Sequence, residues 1–219
     1  MIYADHAATT KISETAKLAM LSAMEKDWYN PSSLYTPGQQ ASGTLMDARV
    51  RIAHCLGCLP KEIYFTSGGS EADNQAILSA AAIGKRQGKM HIISTAFEHH
   101  AVLHTLKKLE KEGFEITLLD VGEKGIVSPV QVEKAIRPDT ILVTVMYANN
   151  EIGTIQPIRE IGAICRKNGV LFHTDAVQAA GHLQINVEKD QIDMLSLSAH
   201  KFNGPKGIGV LYAKTGVFL

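Results

Sequence analysis

Met194-Leu195-Ser196-Leu197-Ser198-Ala199-His200-Lys201, then Phe202-Asn203-Gly204-Pro205-Lys206-Gly207, then Ile208-Gly209-Val210-Leu211-Tyr212-Ala213, is the stretch on which the fold turns. Two strand-forming runs, 193–198 and 208–213, stand here without a helix between them. Only Phe202 to Gly207 separate Lys201, just past the first run, from the second. A right-handed crossover to a parallel neighbour needs about a dozen residues or more, so strand 208–213 is expected to run antiparallel to its neighbours. Upstream the pattern is the opposite. Strands 62–66, 91–95, 115–120, 140–146 and 170–174 alternate with amphipathic helices at 71–84, 100–112, 129–135 and 157–167, and a short one at 176–181 follows the last of them. This alternation predicts a doubly wound α/β fold, a seven-stranded and mainly parallel sheet with one antiparallel strand. Helices at 14–27 and 38–56 precede the sheet.

The 219 residues suffice for one large domain with a substantial core, and no repeat, low-complexity tract or linker divides them. Residues 1–13 read as an N-terminal segment and 14–219 as the large domain. The chain stops at Lys214-Thr215-Gly216-Val217-Phe218-Leu219 with nothing polar closing it, which suggests a larger protein cut short. Lys plus Arg and Asp plus Glu both number 22, and the two signs are interspersed. That leaves no footprint for nucleic acid and no polybasic patch for a membrane. No apolar run reaches the ~20 residues of a spanning helix, and Met1-Ile2-Tyr3-Ala4-Asp5-His6 is too polar for a signal peptide. A soluble cytoplasmic protein is expected.

Three cysteines argue against a disulfide framework. Cys55-Leu56-Gly57-Cys58 has the spacing of a redox or metal pair, but no second pair completes a zinc site and no thioredoxin-like context surrounds it. The plainer reading is a helix ending at Leu56, stopped by Gly57 and followed by Pro60.

In a parallel sheet the carboxyl ends of the strands share one edge, where open α/β folds bind ligands. The strand ends here carry Ser67-Gly68-Gly69-Ser70-Glu71, Glu98-His99-His100, Asn149-Asn150-Glu151, Asp175, and Ser198-Ala199-His200-Lys201. The Gly/Ser turn suits a single phosphate at a helix N-terminus, or else is an ordinary cap with an acid in the first turn. It matches neither the dinucleotide fingerprint nor a P-loop. Lys201 on a buried strand must be solvated, paired or covalently used, and partial burial supplies the free amine that attacks a carbonyl. Asp175 ends an apolar strand, where an unpaired carboxylate is costly. A Schiff-base lysine with an aspartate on a pyridinium nitrogen is the signature of pyridoxal phosphate (PLP) enzymes. His100 and His104, at i, i+4 with Glu98 nearby, leave a metal site conceivable but without a third ligand. An imidazole of His99 stacked on a flat ring is the competing use. His6, His54, His91, His173 and His182 show no grouping beyond packing or surface roles.

Asp5-His6-Ala7-Ala8-Thr9-Thr10, Asn30-Pro31-Ser32-Ser33, Thr66 to Glu71, Glu98-His99, Asn149-Asn150-Glu151-Ile152-Gly153, Asp175-Ala176-Val177-Gln178 and Ser198-Ala199-His200-Lys201…Gly204-Pro205-Lys206-Gly207 occur in the order and at the spacing of one family. Across essentially its whole length the chain resembles cysteine desulfurases of the NifS/IscS type, in the class V group of fold-type-I PLP enzymes. The Asn-Asn-Glu-Ile-Gly and Gly-Pro-Lys-Gly stretches are nearer this branch than the SufS/selenocysteine lyase branch. The resemblance implies that Lys201 carries the cofactor as a Schiff base and later moves the Cα proton. It implies Asp175 on the ring nitrogen, Gln178 on the phenolic oxygen, and His99 stacked on the ring with an acid/base role. Gly69, Ser70, Ser198 and His200 would hold the phosphate, and Asn150 would lie near the phenolic oxygen and the substrate carboxylate. The implied reaction takes L-cysteine to L-alanine, leaving sulfur on an enzyme cysteine for iron–sulfur cluster or thio-cofactor assembly through an acceptor or scaffold protein. A homodimer is implied for the full-length protein.

His6, Lys11 and Tyr35 replace the family's Asn, Pro and His, and Gly69-Ser70 replaces Ala-Thr, which keeps the phosphate chemistry. The family's C-terminal small domain, with its persulfide-forming cysteine and substrate-binding arginine, has no counterpart here, and Cys55, Cys58 and Cys165 fall outside the family position. The fragment alone is therefore expected to lack turnover and to expose apolar surface. Another class V PLP enzyme, an aminotransferase or selenocysteine lyase, and an inactive truncated remnant are the alternatives.

Overall fold

The structure is a computed structural model and describes residues 2–219. Seven strands form one sheet: β1 (Ile63–Thr66), β2 (His91–Thr95), β3 (Glu115–Leu119), β4 (Thr140–Thr144), β5 (Leu171–Asp175), β6 (Met194–Ser198) and β7 (Gly209–Ala213), in the spatial order β1-β7-β6-β5-β4-β2-β3. β2 to β6 pair in parallel, and β7 is antiparallel to both β6 and β1. The short connection read from the sequence therefore has the expected consequence. Two antiparallel steps return β1 to the direction of β6, so the carboxyl end of β1 lies on the same edge as those of β2, β4, β5 and β6.

Six helices accompany the sheet: α1 (Glu14–Lys26), α2 (Thr36–Leu56), α3 (Gly69–Gln87), α4 (His100–Lys111), α5 (Pro129–Ala135) and α6 (Ile158–Lys167). α2 begins two residues before the expected 38 because Pro37 already holds its first turn in helical geometry. It ends as expected, with Gly57 in the left-handed conformation at φ 71°. α3 reaches back to Gly69, so the Gly/Ser turn is the helix start itself. The helix expected at 176–181 is absent. Ala179 and Ala180 both donate to the Ala176 carbonyl, but Gly181 at φ 79° ends the series after one turn. Among the described residues no helix is long and apolar enough to cross a membrane.

Two apolar layers sandwich the sheet. One joins Phe172, Val143, Ile93 and Leu195 to Ile161, Cys165 and Val132, and the other packs Ala72, Ala76, Ala80 and Ile77 of α3 against Leu142, Met194 and Leu211. The alanines let α3 lie close to the strands, which brings its N-terminus over the sheet edge. At that edge Gly209 abuts the Gly/Ser turn: a Cβ there would stand 2.6 Å from the backbone carbon of Gly68 and from the Leu197 carbonyl oxygen. α1 buries no residue, and Leu18, Leu21 and Met24 are exposed along it.

Glu62, just before the edge strand β1, ties it to the segment that follows its antiparallel neighbour β7. Its buried carboxylate accepts from the Leu59 amide at 2.9 Å and from the Thr215 amide and hydroxyl, both at 2.7 Å. Burial pushes this carboxyl up, but those hydrogen bonds outweigh it and hold the group below its usual range. The unfolded chain thus binds that proton more tightly, so Glu62 stabilises the fold above roughly pH 4.3 and loses this as pH falls through its lower folded value. Glu62→Gln is expected to cost about 1–3 kcal/mol at pH 7. Urea unfolding should show the gap to wild type narrowing in acid.

Candidate active site

Lys201 ends the short 3-10 turn Ala199–Lys201 that follows β6. The half-buried amine donates to the carbonyl oxygens of Ala7 and, at 3.1 Å, Ala8. Gln178 Nε2 reaches the same Ala7 oxygen at 2.9 Å. The N-terminal segment is held there by further bonds: Thr10 donates through amide and hydroxyl to the His200 carbonyl, and Thr9 Oγ1 lies 3.0 Å from His200 Nδ1. Residues 7–10 therefore form a strap across the β6 end, and its carbonyls park the lysine. Burial lowers the Lys201 amine below the ordinary lysine value, with Asp175 and Asp5 opposing the shift.

Asp175 closes β5, 5% exposed, and its Oδ1 accepts from the Val177 amide at 2.9 Å. Burial raises this carboxyl, while the Val177 amide, His99 and Lys201 pull the other way. His99 caps α4, its Nδ1 accepting from the Ala101 amide at 3.1 Å, so the neutral ring carries its proton on Nε2. Gly69 and Ser70 open α3, whose first amides lack intrahelical partners. A Cβ on Gly69 would meet the Val177 side chain at 2.6 Å, so the missing side chain keeps that approach open.

Gly69, Ser70, His99, Asn150, Asp175, Gln178, Ser198, His200 and Lys201 all line one cavity of about 460 Å³. The structure thus brings together every residue that the sequence proposes for the site. It adds Asp5, Ala7, Ala8, Asp73, Met146 and Val177. The carbonyl strap has no sequence signal, because backbone oxygens carry none. Asp73 has one: it is a carboxylate within the buried Gly/Ala/Ile stripe of α3. His173 also exceeds the plain packing role read from the sequence, since it is fully buried against Thr144, Ser196 and Asp73. The rings of His100 and His104 stack at 5.5 Å. Among the described residues the one cluster spaced to share a cation is instead Asp73, His99 and Asp175, with oxygen and nitrogen atoms within 4.8 Å of one another.

None of the three cysteines lines the cavity. Cys58 is pushed up to about 12 by burial and by Glu62, and Cys165 is raised by burial and Asp193, so both are thiols at neutral pH.

Fold and site define an α/β protein whose sheet edge brings a half-buried lysine, a buried carboxylate and the start of α3 to face one crevice. The chain belongs to the aminotransferase class-V family, whose profile matches residues 2–218. It is 52% identical over 216 residues to the cysteine desulfurase IscS of Methanosarcina thermophila, covering 99% of this chain and 53% of the relative. It is also 52% identical over 218 residues to the putative cysteine desulfurase IscS 1 of Bacillus subtilis, covering all of this chain and 57% of the relative. A solved NifS-like protein superposes with a TM-score of 0.95 at 38% identity, over 99% of this chain and 60% of that one. A structure described as SspA in complex with cysteine gives a TM-score of 0.93 at 42% identity, over 97% and 61%. The chain spans about half the length of the curated relatives it matches, 53% and 57% for these two.

Proposed function

We propose that residues 14–219 are the PLP-binding large domain of a cysteine desulfurase, with the N-terminal segment 1–13 supplying the strap over its site. The observation that carries this reading is the convergence of Lys201, Asp175 and Gln178 with the α3 start on one cavity. The donor set fits the cofactor. Asp175 takes a hydrogen bond from Val177 on Oδ1 and has no lysine or arginine at salt-bridge distance among the described residues, so a ring N–H would satisfy it. Ser70, Ser198, His200 and the α3 amides would hold the phosphate. Gln178 would address the phenolic oxygen, His99 would cover the ring face, and Asn150 would meet the substrate carboxylate.

When bound, PLP supplies an electron sink for the Cα of an amino acid. Lys201, freed from the Ala7 and Ala8 carbonyls, would hold the cofactor through its amine and would supply the base at Cα. Its lowered basicity keeps more neutral amine available. His99 exchanges a proton at the substrate sulfur. L-cysteine is the substrate, L-alanine the product, and sulfur passes to a cysteine outside these residues and then to an acceptor or scaffold protein. The full-length protein works as a homodimer in the cytoplasm.

The test is titration of the purified chain with PLP, read by absorbance, then addition of L-cysteine with analysis of products. A spectral change on adding cysteine, with alanine as the only carbon product once a sulfur-accepting domain is supplied, is expected. A keto acid product would move the reading to an aminotransferase. Failure to bind PLP at all would overturn it.

A further inference from the structure

Behind Asp175 the sheet face that meets α3 is polar where an apolar core is the norm. His173 on β5 has Nδ1 2.8 Å from Thr144 Oγ1 and Nε2 3.0 Å from Ser196 Oγ. Asp73 closes over this row from α3. It is 1% exposed, its Oδ1 lies 3.6 Å from His173 Nε2, and that oxygen has no hydrogen-bond partner among the described residues. A third buried carboxyl, Glu98, arrives from the segment after β2. Its Oε1 accepts from Thr95 Oγ1 and from the Met146 amide, and its Oε2 has no partner among the described residues. His99 and Lys201 face Asp175 from the remaining sides.

Three neighbouring carboxyls in a desolvated pocket do not all ionise, because each added negative charge meets the last at low dielectric. Burial raises all three, and the charges of Asp175 and Glu98 raise Asp73 further against the opposing pull of the Ser196 hydroxyl. His173 does not take the proton, since burial lowers it to about 3.

We propose that Asp73 is a positioning residue that stays a neutral carboxylic acid and leaves Asp175 as the ionised carboxyl aimed at the cofactor's ring nitrogen. The role toward the ring rests on the PLP reading above. A neutral acid beside Asp175 offers an O–H and adds no second negative charge, so Asp175 ionises against a ring N–H without repulsion from behind. In this role Asp73 acts through Asp175, to which its carboxyl lies adjacent.

Infrared difference spectra of the cofactor-free chain at pH 7 test the charge state directly. Asp73→Asn is expected to remove a protonated-carboxyl C=O band that Asp175→Asn leaves in place, with circular dichroism showing both variants folded. In PLP-loaded protein carrying a 15N-labelled ring, Asp73→Asn should keep the nitrogen protonated and the affinity within about three-fold, because an amide still donates. Asp73→Leu should weaken PLP binding about ten-fold or more and shift the ring-nitrogen resonance. No band lost in Asp73→Asn overturns the proposal, and a divalent cation held by Asp73, His99 and Asp175 would give that result because it needs both carboxylates charged. Wild-type behaviour of Asp73→Leu overturns it as well. A band loss in a chain that does not take up PLP would uphold the acid and defeat the cofactor assignment.

Discussion

Lys201→Ala is expected to abolish covalent retention of PLP. Sodium borohydride reduction of the PLP-supplemented wild-type chain, followed by peptide mass mapping, should place a pyridoxyl group on Lys201. The alanine variant should show only background labelling of surface lysines. The selectivity follows from position. Lys201 is half-buried at the end of β6, its amine already lies in the cavity, and burial favours the neutral form that attacks an aldehyde. The pH dependence has a definite sign. Labelling should rise with pH as the amine loses its proton, and reach half its maximum below the ~10.4 of an ordinary lysine. Lys206→Ala, on the connection to β7, should label like wild type. On the proposed PLP reading Lys201→Ala leaves the residues assigned to the phosphate and ring in place, so that variant should still bind PLP reversibly and release it on gel filtration. Labelling spread over surface lysines in wild type would show that these residues do not form the site by themselves.

The largest effect on stability is expected for Phe172→Ala. Phe172 is fully buried on β5 in the middle of the sheet, pairs in register with Val143, and donates its amide to Asp193 Oδ2 at 3.0 Å. Rigid strands on both sides restrict collapse around the void, so the loss should reach about 3–5 kcal/mol. Urea unfolding should show the midpoint falling by roughly 1–3 M with little change in slope. A loss below about 1 kcal/mol would mean that the layer containing Ile161 and Cys165 closes over the gap, against its close packing. Asp175 is three residues along the same strand, so loosening β5 should also weaken PLP binding in the fraction that remains folded.

Much of the sheet is legible before any coordinates. Ile141-Leu142-Val143 and Leu195-Ser196-Leu197 are strand-forming runs bounded by polar residues or turns, and their observed limits lie within two residues of the expected ones. The weaker readings concern helix edges, where signals compete. Alanine-rich periodicity at 176–180 suggests a helix, but Asp175 turns its carboxylate onto the Val177 amide and Gly181 enters the left-handed region. Gly69 lowers helix propensity and yet begins α3, because at the first turn close approach to Ser198 and Val177 matters more than propensity.

The sequence by itself determined the strand–helix alternation, the reversed β7 and the chemical inventory at the strand ends, since these depend on local period, connection length and residue type. Only the tertiary structure decided how distant polar groups meet. It set the Ala7 and Ala8 carbonyls on Lys201 across more than 190 residues of chain, and placed Asp73 of α3 against His173 of β5, which also meets Ser196 of β6. Periodicity records which face of an element is buried, while the partner a buried polar atom finds depends on strand order and helix crossing, and those are settled by packing across the whole sheet.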